Sequence, residues 1–251
     1  MMAMYKNFDA IIFDLDDTLI DDHGNWIRSV ERISSFIVST FNVGPSISEQ
    51  DIFQSYLLIS DELWSNYESR LKPLGNSIEI RKFVWNEALT NIQVFLEKQH
   101  LEDLVREFSV YREQIFPDMR LREKLLKLKR KYKLAICTNG TKETQFIKIE
   151  KAGLEGIFDT IICSDDVDVR KPHPYIYNYC VEQLGTSVDQ CIFVGDSWEY
   201  DIVGALDIHM RCAWILKNDS KMNINVPAQV SIYSSAVQFI DSIFNVENQS
   251  C

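Results

Sequence analysis

The chain has 251 residues, enough for one large domain or two smaller ones, and at 46% hydrophobic and 12% aromatic it can bury a substantial core. A formal net charge of -11 and a pI of about 4.9 set it against a nucleic acid polymer as partner, because phosphate backbones attract clustered Lys and Arg. No run approaches the roughly 18 apolar residues of a membrane span, and MMAMYKNFDA at the start holds no apolar segment of signal-peptide length, so a cytoplasmic protein with no membrane partner is expected.

DAIIFDLD (9–16) reads as the first strand. Its interior is continuously apolar, as in parallel strands covered on both faces. More than a hundred residues then separate it from the next strand-like run, far too many for a crossover. Four helical stripes fill that gap. The first is Trp26, Val30, Ile33, Ile37 and Phe41, and the second Phe53, Tyr56, Leu57 and Trp64. The third is Phe83, Leu89, Ile92 and Phe95, and the fourth Leu101, Leu104, Phe108, Tyr111 and Ile115. All are read as core of a small helical domain, with Gly44-Pro45 and Pro73 with Gly75 marking loops. The basic stretch Arg120 to Lys133 places Leu121, Leu125, Leu128 and Tyr132 at helical spacing, which predicts an amphipathic helix with a solvated basic face.

KLAICTN (133–139), FDTIICS (158–164), QCIFVGD (190–196) and MRCAWIL (210–216) read as further strands, alternating with helical patterns at about 141–152, 174–185 and 198–207. The closing NVENQSC is read as a frayed tail. The six cysteines form no C-x-x-C pair and several lie in apolar runs, so buried free thiols are expected. The expected fold is α/β: a doubly wound, Rossmann-like parallel sheet with right-handed crossovers and an inserted all-helical domain. Residues 1–20 and 117–251 would form the α/β core and residues 21–116 the insertion.

In open parallel sheets the ligand site lies beyond the carboxyl ends of the strands. Those ends here carry Asp14 and Asp16, then Thr138-Asn139-Gly140, then Ser164 to Asp166 leading into Arg170-Lys171-Pro172, then Gly195-Asp196-Ser197 with Asp201 one turn on. Asp14 and Asp16, two apart, share a strand face and with Asp196 make a hard oxygen cluster of the kind that holds magnesium (Mg2+). Asp14, Asp16, Asp196 and Asp201 sum to about -4 when ionised, and magnesium with Lys171 returns about +3. Protonating Asp16 brings the site near neutral, ready for a phosphate dianion. The chemistry that fits is phosphoryl transfer. Asp14 would attack phosphorus. Asp16 would protonate the leaving alkoxide and later deprotonate water. Thr138 and the backbone N–H groups around Asn139 and Gly140 would hold phosphate oxygens, and Lys171 would neutralise the growing charge.

DLDDT (14–18), CTNG (137–140), RKPHP (170–174) and GDSWEYD (195–201) resemble, in order, the four motifs of the haloacid dehalogenase superfamily, and the resemblance covers nearly the whole chain. It implies Asp14 as nucleophile and Asp16 as acid/base, whose main-chain carbonyl also ligates magnesium. Thr138 and Lys171 take the phosphate, Asp196 is a metal ligand, and Asp201 orients the metal's waters from a second layer. The helical insertion resembles the family's C1 cap, which chooses the substrate. An acid at Asp16 is the mark of phosphatase members, because a departing halide needs no proton. The helical cap and DDT motif look most like the branch holding N-acylneuraminate-9-phosphatase and pyrimidine nucleotidases. Asp168 stands where relatives commonly carry glycine. The implied activity is that of a magnesium-dependent phosphatase acting on a small phosphorylated metabolite, a sugar phosphate or nucleotide, as monomer or homodimer. A phosphomutase and a non-catalytic binding protein on the same fold are the alternatives. Asp17 is read as shaping a turn, Asp22 as capping the helix that follows, and His173 as a solvent-facing or helix-start residue. Arg70, Lys72 and Arg81 are basic candidates within the insertion.

Overall fold

The computed structural model describes residues 8–217 and 225–249. Strand β1 (Ala10–Phe13) leads into helices α1 (Asp22–Thr40), α2 (Glu49–Ser65), α3 (Tyr67–Arg70), α4 (Ser77–Asn91), α5 (Lys98–Arg112) and α6 (Met119–Lys129). There follow β2 (Lys133–Thr138), α7 (Lys142–Lys151), β3 (Thr160–Cys163), α8 (Ser164–Val167), α9 (Pro174–Leu184) and β4 (Cys191–Gly195). A π-helical turn (Trp198–Val203), α10 (Gly204–Asp207), β5 (Arg211–Ile215), β6 (Val230–Tyr233) and α11 (Ala236–Gln249) complete the chain. It divides into two compact units. One comprises the residues up to Asp21 and from Ile115 onward, and the other is Asp22–Gln114.

The first unit is a six-stranded sheet in the order β3-β2-β1-β4-β5-β6, with every pairing parallel. Successive side chains of a strand point to opposite faces, and here both faces are covered. Ile11, Phe13, Leu134, Ile136, Ile192 and Val194 join Leu121, Leu125 and Leu128 of α6 and Phe239, Ile240 and Ile243 of α11 in one core layer. Ala10, Ile12, Ala135, Cys137, Cys191 and Phe193 join Ile176, Tyr177, Cys180 and Leu184 of α9 in the other. That double burial is why these runs are apolar at consecutive positions rather than alternating. The five described cysteines are all buried and unbridged, and Cys251 lies outside the described residues.

The second unit packs α1, α2, α4 and α5 around Val30, Ile33, Ile37, Tyr56, Trp85, Leu104 and Phe108. Its stripes are shorter than expected. Trp64 and Phe95, both read as core, are 45% and 76% exposed. Phe95 lies past the end of α4 at Asn91, so helical spacing no longer governs where its side chain points. Trp85, Ile52 and Leu63 take the burial instead. No described helix is long and apolar enough to cross a membrane.

Two differences concern the carboxyl-terminal part. Strand β6 adds a sixth strand to the five expected. It is a sheet edge whose VSIY alternates, with Ile232 48% exposed, so it lacks the continuous apolar run of the central strands. The expected frayed tail instead continues α11 to Gln249. Phe239 anchors α11 with edge-to-face contacts to Phe13 and Tyr233 at 6.2 and 5.4 Å. Phe239→Ala is expected to cost about 3–5 kcal/mol, measured as a lowered urea-unfolding midpoint.

Candidate active site

Strand β1 lies at the centre of the sheet between β2 and β4, the point where the winding reverses direction and where doubly wound sheets open a crevice. Phe13 is level with Ile136 on one side and Val194 on the other. Asp14 follows, its N–H donating to the Val194 carbonyl at 2.8 Å, and it is 6% exposed.

On the neighbouring strand end, Gly195 and Asp196 lead into Ser197. The Ser197 hydroxyl accepts from the Tyr200 N–H at 3.1 Å and caps the π-helical turn. That turn brings Asp201 back under the end of β4, where its Oδ2 accepts from the Ser197 N–H at 3.0 Å. A Cβ on Gly195 would overlap the Asp201 carboxylate, so this position admits only glycine. Asp196 is held by its carbonyl, which accepts from Trp214 Nε1 at 2.8 Å, and by Thr18 Oγ1 at 3.3 Å from its Oδ1.

Lys171 enters from the loop between α8 and α9. Asn139, at the end of β2, fixes its backbone twice. Asn139 Oδ1 accepts from the Lys171 N–H at 2.8 Å, and Asn139 Nδ2 donates to the Lys171 carbonyl at 3.0 Å. Lys171 is 3% exposed, and its ammonium sits 2.5 Å from Asp14 Oδ1 and 2.6 Å from Asp201 Oδ1. Carboxylate oxygens of Asp14, Asp196 and Asp201 lie within 4.8 Å of one another. These are hard oxygen donors, the set preferred by a small divalent cation.

The electrostatics match that donor set. Burial pushes the Asp14 carboxyl well above its ordinary value; Lys171 opposes this, and Asp201, Asp196 and Asp16 add to it. Asp196 is pushed up to about 7, first by burial and then by Asp201 and Asp17. Burial works against the Lys171 ammonium, yet Asp14 and Asp201 beside it hold it charged, well above its usual range. One cation among three acids leaves surplus negative charge in a dry site, which a divalent ion would relieve.

Asp16 is placed differently. Its carboxylate stands outside the trio, with Oδ1 2.8 Å from Lys148 Nζ and Oδ2 accepting from Gln145 Nε2 at 3.1 Å. The Asp201 carboxylate closes the trio with Asp14 and Asp196. Thr138 is 1% exposed, and its hydroxyl accepts from Gln145 at 2.7 Å. The Gly140 N–H donates to Ser164 Oγ at 3.1 Å. Gln145 and Lys148 on α7, and Trp214, lie outside the motifs singled out in the sequence, and Thr18 lies in the first of them without a role assigned to it. The available signal was that Gln145 and Lys148, three apart on one helix face, follow directly on the Thr138 motif.

The remaining candidates make local contacts. Asp17 has φ +60°, a left-handed turn conformation that Asp tolerates. Asp168 has φ +55°, a left-handed conformation that glycine adopts most readily and Asp tolerates. His173 begins α9, its Nδ1 accepting from the Tyr175 N–H at 3.2 Å. Asp22 opens α1 and is gripped by the Arg112 guanidinium through both oxygens at 2.8 and 2.9 Å. Arg81 donates to Ser109 Oγ at 2.6 Å, and Lys72 pairs with Glu68 at 3.0 Å.

Residues 8–209 match the profile of a hydrolase family described as haloacid dehalogenase-like hydrolase. The chain is 26% identical over 234 residues to N-acylneuraminate-9-phosphatase of Rattus norvegicus, with 91% of each chain covered. It is 26% identical over 219 residues to pyrimidine 5'-nucleotidase YjjG of Escherichia coli, covering 83% of this chain and 86% of that one. Among solved structures, the putative HAD-hydrolase YfnB of Bacillus subtilis, bound to magnesium, superposes with a TM-score of 0.72 at 21% identity, covering 95% of this chain and all of that one.

Removing the ammonium tests the charge balance of the site. Lys171→Met leaves Asp14 and Asp201 buried without a counter-charge and is expected to cost about 3–5 kcal/mol of stability, read from the urea-unfolding midpoint.

Proposed function

Because the chain belongs to the haloacid dehalogenase-like hydrolase family, we propose that it is a magnesium-dependent phosphatase that hydrolyses a small phosphorylated metabolite through a phosphorylated aspartate. The observation that carries this reading is the buried Asp14 carboxylate beside Lys171, in a trio with Asp196 and Asp201, with a second acid, Asp16, two residues on. The phosphatase and nucleotidase relatives support a sugar phosphate or a nucleotide as substrate.

An Asp14 oxygen attacks phosphorus, and the bond from phosphorus to the ester oxygen breaks. Asp16 gives its proton to that departing oxygen, releasing an alcohol. Water then attacks the phosphorus while Asp16, now a carboxylate, takes a proton from it. The bond from phosphorus to Asp14 breaks, and inorganic phosphate leaves with the Asp14 carboxylate restored. Thr138 and the main chain beside Asn139 and Gly140 orient the phosphate, and the Lys171 ammonium offsets its charge. Magnesium would be held by the Asp14 and Asp196 carboxylates and the Asp16 main-chain carbonyl, with Asp201 beside them. It would supply further positive charge against the phosphoryl oxygens. The helical insertion, residues 21–116 in the division drawn from the sequence, is proposed as the part that selects the substrate.

Two outcomes are expected. Asp14→Asn abolishes phosphate release across a panel of sugar phosphates and nucleotides while keeping the wild-type melting temperature or better; wild-type-like turnover by this variant overturns the mechanism. Magnesium chloride raises the melting temperature of the wild-type protein, because an ion that binds only the folded state stabilises it by mass action. Asp196→Asn loses most of that rise in the same thermal scan.

A further inference from the structure

Helix α7 reaches the site with two side chains that no motif includes. Gln145 is 1% exposed and Lys148 7%, so both are as buried as the sheet core. Their spacing of three residues puts them on the same helix face. Thr141 caps the helix through the Thr144 N–H, and Ile149 packs into the core, so the helix that carries them is anchored at both ends.

What the two side chains touch is specific. Lys148 Nζ meets Asp16 Oδ1 at 2.8 Å. Gln145 Nε2 meets Asp16 Oδ2 at 3.1 Å and Thr138 Oγ1 at 2.7 Å. The Asp16 carboxyl group is thus pinned through both oxygens, which fixes its rotation about the last side-chain bond. Its side chain is 27% exposed, so these contacts hold the carboxyl against competition from water. The same amide ties Asp16 to Thr138, so the residue assigned to proton transfer and the hydroxyl assigned to the phosphate are held in register by one group.

We propose that Lys148 and Gln145 are positioning residues that aim the Asp16 carboxyl at the departing oxygen, with Gln145 setting the distance between that carboxyl and the phosphate grip of Thr138. This rests on the phosphatase reading of Asp16 given above. Misplacement of a reacting group by about 1 Å can cost on the order of 100-fold in rate.

The test compares leaving groups. An alkyl phosphate expels an alkoxide that needs a proton, whereas p-nitrophenyl phosphate expels a phenolate that does not. The ratio kcat/KM reports events up to the loss of that group, before water enters. Lys148→Met and Gln145→Leu are each expected to lower kcat/KM about 10- to 100-fold for the most active alkyl phosphate of the phosphate-release panel. For p-nitrophenyl phosphate the change is expected to stay below about threefold. Lys148→Arg, which keeps the cation, is expected to restore most of the alkyl activity. An equal loss on both substrates, or no loss on either, overturns the proposal. If Lys148→Met does not fold, Gln145→Leu carries the comparison. Asp16→Asn, assayed alongside, separates the two levels. If it retains alkyl phosphate hydrolysis, the reading of Asp16 fails and the proposal with it. If it loses that activity while the α7 variants show no selectivity, only the positioning role fails.

Discussion

The site depends on one buried cation. Lys171 lies between Asp14 and Asp201, and these three residues come from the end of β1, the loop before α9, and the turn after β4. Such an arrangement is costly unless each partner is held in place, because an ion taken out of water must be compensated by close, well-aligned opposite charge. Several features that look unrelated in the chain serve that requirement. Asn139 clamps the Lys171 backbone. Ser197 caps the turn that returns Asp201. The parallel order of the sheet brings the three strand ends to one edge.

The same arrangement leaves the charge unbalanced. A single ammonium cannot neutralise Asp14, Asp196 and Asp201 together, and burial with repulsion from neighbouring carboxylates raises Asp14 and Asp196 while the lysine stays charged. The excess is a stored preference for positive charge. It suits a divalent ion, and a site so supplied can then receive a phosphate dianion that a plain carboxylate cluster would repel. The helical unit shows a contrasting balance: the Arg112 guanidinium meets the single Asp22 carboxylate through two hydrogen bonds.

Much of this was legible in the chain. Strands buried on both faces leave continuous apolar runs, and the polar residues that interrupt them at their ends are the ones the fold collects. What escaped had physical reasons. Strand β6 is an edge, half exposed, and carries no such run. Trp64 and Phe95 sit at or past helix ends, where periodicity no longer decides burial. Gln145 and Lys148 belong to a helix pattern whose inward face can be known only once α7 is docked, since a buried lysine and glutamine look like surface residues in a sequence.

Gly195 carries a different lesson. The carboxylate of Asp201 rests where any other residue would place its first side-chain atom. The contribution of Gly195 is therefore a vacancy, with no donor, acceptor or charge to reveal it. Inventories of reactive groups pass over such a residue, yet a single methyl there would unseat the acid on which the lysine relies. Tolerance to substitution around this centre is accordingly governed by volume as well as by charge, and the least reactive residue in it is among the least replaceable.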